Sequence, residues 1–180
     1  MDVEPLAIPD VKRIRLRRFN DARGFFQQTY NSEEYAAAGI SIRFVQDNWS
    51  RTRRGVLRGL HYQYEYPQEK LVAVLRGEIF DVAVDLRRSS PTFGRWVGTV
   101  INAESGEQLY IPAGFAHGFL ALSETVDLVY KCSDFYAPGD ECGIRWNDPT
   151  IGVEWPVTTA LIISEKDETL GTFVDAKLFE

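Results

Sequence analysis

Two histidines occur among 180 residues. One of them, His61, sits in a strand-like stretch, "GVLRGLHYQ" (residues 55–63), beside an arginine and a glutamine that a strand rarely buries. Imidazole is the side chain best suited to taking up and returning a proton near neutral pH. The bland alternative is a buried histidine satisfied by a carbonyl, but His61 is not isolated. His61 and Gln63 share strand parity, so both can face the interior of a barrel. Arg58 has the opposite parity, and Gly59 between them marks a possible bulge that re-aims side chains. Parity alone leaves open whether Arg58 and His61 meet in one cavity.

The elements that must hold these residues are short strands. Runs such as "LVAVLRG", "EIFDVAVDL", "TVINA", "EQLYIPAG", "GFLAL" and "VDLVYKC" are separated by turn formers including "SSPTFG", "AESG" and "YAPGD". In "EIFDVAVDL", Phe80, Val82, Val84 and Leu86 share one face, and Asp81 and Asp85 the other. One short helix is expected over "NSEEYAAAG", with Asn31 or Ser32 as cap and Gly39 as terminator. The pattern predicts an all-β sandwich or barrel with few short helices. At this length one domain, residues 1–180, is expected.

Composition narrows the partners. Hydrophobic residues make up 44% and aromatic residues 13%, which fits a folded chain. The net charge of −6 argues against broad attraction to nucleic acid or an anionic membrane. No leader or spanning segment is legible, and Cys132 and Cys142 read as reduced thiols, so a soluble cytoplasmic protein is expected. Any anion must be bound locally. The arginines of "RTRRGVLR" (51–58) are the better candidates. In "KRIRLRR" (12–18), Arg13, Arg15 and Arg17 alternate with Ile14 and Leu16, the pattern of an edge strand with a solvated charged face.

The segment "GEQLYIPAGFAHGF" resembles the second signature block of the cupins, with Gly106, Pro112, Gly114 and His117 at its spacing, and Gly55, His61, Glu69 and Gly77 form a loose first block. That resemblance implies a jelly-roll barrel. Many cupins hold a transition metal with two histidines one residue apart, but the second position here is Gln63, a poor ligand for such a metal. His61, Glu69 and His117 would be one ligand short. No metal is therefore expected, and His61 is free for acid–base work.

Nine segments carry a closer resemblance: "DARGFF", "FVQDN", "GVLRGLHYQ", "QEKLV", "DVAVDLRRSSPTFG", "IPAGFAHGF", "VYKCSDFYAPGDE", "WNDPTIGVEWP" and "SEKD". In their order and spacing, over residues 21–167, the chain resembles the dTDP-4-dehydrorhamnose 3,5-epimerases. The resemblance implies a cupin homodimer without metal or other cofactor, acting on dTDP-4-keto-6-deoxyglucose. Inverting carbons α to a ketone needs a base, a positive partner for the enolate and an acid on the opposite face. By resemblance these are His61, Lys70 and Tyr130, with Asp167 orienting the base. Arg23 and Arg58 would meet the pyrophosphate or sugar. Phe26 and Tyr136 would flank the thymine, and Gln46, Asn48, Glu141, Lys166 and His117 would complete the pocket. Gln28 stands where the family usually has a glutamate, which keeps a hydrogen-bond acceptor and loses the charge. The resemblance further implies that the N-terminal strand region, residues 1–20, exchanges in the dimer. Relatives that invert only C3 or only C5 would use the same four chemical residues. From another class, a catalytically silent nucleotide-sugar binder would be expected to lack the base or the acid.

Overall fold

The computed structural model describes all 180 residues and contains thirteen strands and two short α-helices. β1 (Asp2–Pro5) pairs with β2 (Lys12–Arg15), β3 (Arg18–Asp21) forms a hairpin with β4 (Gly24–Gln27), and α1 (Ser32–Ala37) follows. Next come β5 (Gln46–Arg53), β6 (Leu57–Gln63), β7 (Lys70–Arg76), β8 (Glu78–Asp85) and β9 (Trp96–Asn102). β10 (Glu107–Ile111), β11 (Phe115–Ala121), β12 (Thr125–Cys132), β13 (Glu141–Gly143) and α2 (Glu165–Glu168) complete the series.

Two antiparallel sheets result, ordered β1-β2-β10-β7-β12-β5 and β13-β6-β11-β8-β9. From β5 onward the chain crosses from one sheet to the other at each step, except at the β8–β9 hairpin. This interleaving is the double-sheet jelly roll of the cupins, the mainly-β barrel with few helices expected from the sequence.

Apolar side chains fill three layers. Between the sheets lie Val72, Val74, Ile79, Ala83, Leu109, Phe119 and Leu128. Outside the five-stranded sheet, Trp155 and Phe173 from the C-terminal segment cover Val82, Val84 and Leu120. Outside the six-stranded sheet, Tyr35 of α1 and Ile40 cover Ile14, Leu71 and Tyr110. Asn31 caps α1, its side chain accepting from the Glu33 and Glu34 amides, and Gly39 follows the helix at φ +79°.

One sequence expectation changes in three dimensions. β2 is not an edge strand: it lies between β1 and β10, and Arg15 pairs with Glu4 at 3.1 Å and Glu107 at 2.9 Å. Alternation shows that one face is charged but not whether a neighbouring strand supplies the counter-charges. In β8 the apolar face points outward under the C-terminal segment, and the aspartate face points inward, with Asp81 and Asp85 fully buried.

Candidate active site

A bulge in β6 builds one wall of the site. Across the β6–β11 pairing His117 faces His61 and Phe119 faces Arg58, so Gly59 and Leu60 together oppose Gly118. The extra residue cancels the parity difference, and Arg58 and His61 line the same cavity. Only glycine fits at position 59. Its φ is +125°, and a Cβ there would lie 2.5 Å from Gly118 Cα and 2.8 Å from the His117 carbonyl oxygen.

His61 Nε2 lies 2.7 Å from Asp167 Oδ1. The other carboxylate oxygen accepts the Gly59 amide at 3.1 Å. An ionised carboxylate is acceptor-only, so it holds the proton on Nε2 and leaves the other ring nitrogen as the lone-pair site. α2 delivers Asp167: Ser164 caps this single turn by accepting the Asp167 amide at 3.1 Å. Burial pushes the Asp167 carboxyl up, but the His61 ring, the Gly59 amide and Ser164 outweigh it and hold the carboxyl below its usual range. This helix escaped the sequence reading because one turn carries no periodicity, although Ser164 three residues before Asp167 is a capping signal.

Lys70 opens β7 and Tyr130 lies on β12, and both line two adjoining cavities of about 480 and 390 Å³ that meet at His61. Lys70 has no carboxylate within ion-pairing distance, and burial lowers its pKa. Burial raises that of Tyr130, whose hydroxyl has no hydrogen-bond partner in the protein. The larger cavity also takes in His117, whose Nε2 contacts both Asp81 oxygens at 2.9 and 3.0 Å. Sequence reading assigned Asp81 no partner. An acid in mid-strand within an otherwise apolar run is the signal that could have found it.

The smaller cavity is walled by a chain of hydrogen bonds. Asn48 donates to Cys132 Sγ and accepts from Gln46, whose Oε1 accepts the Tyr136 amide at 2.9 Å. The Tyr136 hydroxyl donates to Glu141 Oε2 at 2.8 Å, and Lys166 Nζ reaches the same oxygen. Burial raises the Glu141 carboxyl, but Lys166 and Tyr136 outweigh it and lower it overall.

Three expected residues stand apart. Arg23, Phe26 and Gln28 lie on or just beyond the β3–β4 hairpin, outside both cavities. Phe26 is 69% exposed, and Arg23 pairs only with Asp21. The hairpin is pinned elsewhere, by Arg18 on the Ala103 and Glu104 carbonyls and Gln27 on that of Gly106.

The four positions weighed as metal ligands have other partners. His61 and His117 face aspartates, Glu69 accepts from the Tyr110 hydroxyl, and Gln63 binds backbone groups of neighbouring loops. No three ligating side chains converge on one point.

The family model for dTDP-4-dehydrorhamnose 3,5-epimerase matches residues 5–175. The chain is 53% identical over 180 residues to the Pseudomonas aeruginosa dTDP-4-dehydrorhamnose 3,5-epimerase, covering 99% of each chain. Its structure is similar to the dTDP-6-deoxy-D-glucose-3,5-epimerase of Legionella pneumophila in complex with dTDP-4-keto-L-rhamnose, with a TM-score of 0.97, 44% identity, and 99% and 97% of the two chains covered. A 3'-monoepimerase from Streptomyces bikiniensis in complex with dTDP-quinovose matches at a TM-score of 0.88 and 35% identity, over 94% and 87% of the chains. The chain belongs to the dTDP-4-dehydrorhamnose 3,5-epimerase family, whose members are isomerases.

Proposed function

We propose that this chain epimerises dTDP-4-keto-6-deoxyglucose at C3 and C5. The observation that carries the reading is the lining of a single hollow by the His61–Asp167 pair, Lys70 and Tyr130. The free nitrogen of His61 takes the proton from the carbon beside the ketone, and Asp167 stabilises the resulting imidazolium. The electron pair moves onto the C4 oxygen, where the unpaired Lys70 ammonium stabilises the enolate. Tyr130, kept protonated by burial, gives its proton to the opposite face of the carbon. Solvent resets both groups, and the cycle repeats at the second carbon.

Arg58 and His117 contact the sugar-phosphate end, and the string from Asn48 to Lys166 receives the nucleotide. The enzyme is a homodimer in which the β3–β4 hairpin of one protomer brings Arg23, Phe26 and Gln28 to the cavity of the other. Two observations support this: the hairpin's aromatic side chains are exposed, and Trp49 and Leu75 form an uncovered apolar hollow on the outer face of the six-stranded sheet. The reaction belongs to the cytoplasm, a reading supported by two free thiols, Cys132 and Cys142.

The test is to incubate the pure protein, with a chelator present, with dTDP-4-keto-6-deoxyglucose and trap the product with a coupled reductase. A rhamno-configured product supports the reading. Inversion at one carbon makes the chain a monoepimerase, and no inversion leaves a binder of nucleotide sugars.

A further inference from the structure

Gln63 follows His61 by two residues on β6 and is 4% exposed. Its carboxamide makes three hydrogen bonds, all to backbone. Nε2 donates to the Tyr66 carbonyl at 2.8 Å and the Phe135 carbonyl at 3.2 Å, and Oε1 accepts the Ala137 amide at 2.9 Å. Both donor hydrogens and one lone pair of the oxygen are thus engaged by backbone, although the side chain lines the smaller cavity. Two of the three bonds fall on the residues immediately before and after Tyr136.

Tyr136 is 52% exposed at the mouth of the smaller cavity, and its other anchors, Gln46 and Glu141, are less buried than Gln63. Asp140 adds a second tie, accepting the Glu65 and Tyr66 amides and so holding the loop that supplies one of the Gln63 acceptors. The strand that carries the base therefore also fixes, through one amide, the loop that carries the aromatic wall.

We propose that Gln63 is a positioning residue for nucleotide recognition: by clamping the backbone on both sides of Tyr136 it holds that ring in place before ligand arrives. The inference rests on the epimerase reading above. An unclamped loop must be ordered on binding, which weakens affinity. The chemical step is spared, because His61 is held separately by Asp167 and by the bulge at Gly59.

The test compares Gln63→Glu and Gln63→Met with the unaltered protein. Glutamate keeps the shape and the acceptor for Ala137 but turns a charge onto two carbonyls, and methionine keeps the bulk without polarity. The expected result is a Kd for dTDP, measured by calorimetry, and a KM for dTDP-4-keto-6-deoxyglucose that each rise about tenfold, with kcat changed by less than about twofold. Unchanged Kd with a lower Tm would make Gln63 merely structural and overturn the proposal. A fall in kcat at constant KM overturns it too, since Gln63 would then act through His61. If Gln63→Glu does not fold, Gln63→Met carries the same readouts, and failure of both assigns Gln63 to global stability. An unaltered protein that neither binds dTDP nor turns over sinks the epimerase reading and this one together. Normal binding by wild type and both variants sinks this one alone.

Discussion

Asp167 grips His61 Nε2 with one carboxylate oxygen at 2.7 Å and the Gly59 amide with the other at 3.1 Å, so one side chain fixes both the His61 ring and the bulge that presents it. Asp167→Asn keeps the shape and loses the charge that, in the proposed reaction, stabilises the imidazolium. We expect kcat to fall by about 100-fold or more with KM little changed. The folded carboxyl lies below its usual range. Its stabilising contribution is therefore complete above the ordinary aspartate value and is lost as pH falls through the lowered folded value. Asp167→Asn should flatten the acid limb of a Tm-against-pH curve, and an unchanged limb would contradict the assignment.

Lys70 has no carboxylate within ion-pairing distance, and burial lowers its pKa. Between its lowered folded value and the ordinary lysine value the unfolded chain binds more protons, so this site makes stability rise with pH. Lys70→Met should remove that slope. It should raise Tm at neutral pH by about 2–4 °C while lowering kcat at least about 100-fold. A variant that loses stability along with activity would show that the ammonium is structurally paired.

Gly59→Ala should cost roughly 3 kcal/mol or more, because the new methyl group meets backbone atoms that cannot turn aside. Chemical denaturation measures the loss. A near-neutral effect would mean that the β6–β11 pairing relaxes easily and that the bulge does not hold His61.

The proposed exchange of hairpins gives a complementation test. Arg23→Ala and His61→Ala homodimers should each be inactive or strongly impaired. Mixed dimers should regain one working site, formed by the His61 cavity of one protomer and the Arg23 hairpin of the other. If mixing restores nothing, Arg23 acts within its own chain or not at all.

Much of the fold was legible because local rules and tertiary packing agree. Asn31 caps the helix it was expected to cap, and the β8 alternation separates two faces as read. His61 and Gln63 do face inward together, lining one cavity wall. The relation of Arg58 to His61 was not legible, since a bulge is a property of two strands and appears only once β11 is in register. Likewise β2 reads as an edge because its partner β1, four residues long, has almost no pattern of its own. The residues expected around the ligand fall into two groups for a similar reason. Those on β5, β6, β7, β11, β12, β13 and α2 and in the loop between β12 and β13 converge, whereas Arg23, Phe26 and Gln28 belong to a hairpin docked on the turn after β9.

The most direct test of the chemistry is proton NMR of dTDP-4-keto-6-deoxyglucose in deuterium oxide with the unaltered protein, His61→Ala and Tyr130→Phe in parallel. The unaltered protein should exchange and invert C3 and C5, and His61→Ala should do neither. Tyr130→Phe should still wash deuterium into the substrate, returned by His61 to the face it left, while inversion falls. Normal inversion by Tyr130→Phe, or continued exchange by a folded His61→Ala protein, would contradict the assignment of acid and base on which the account rests.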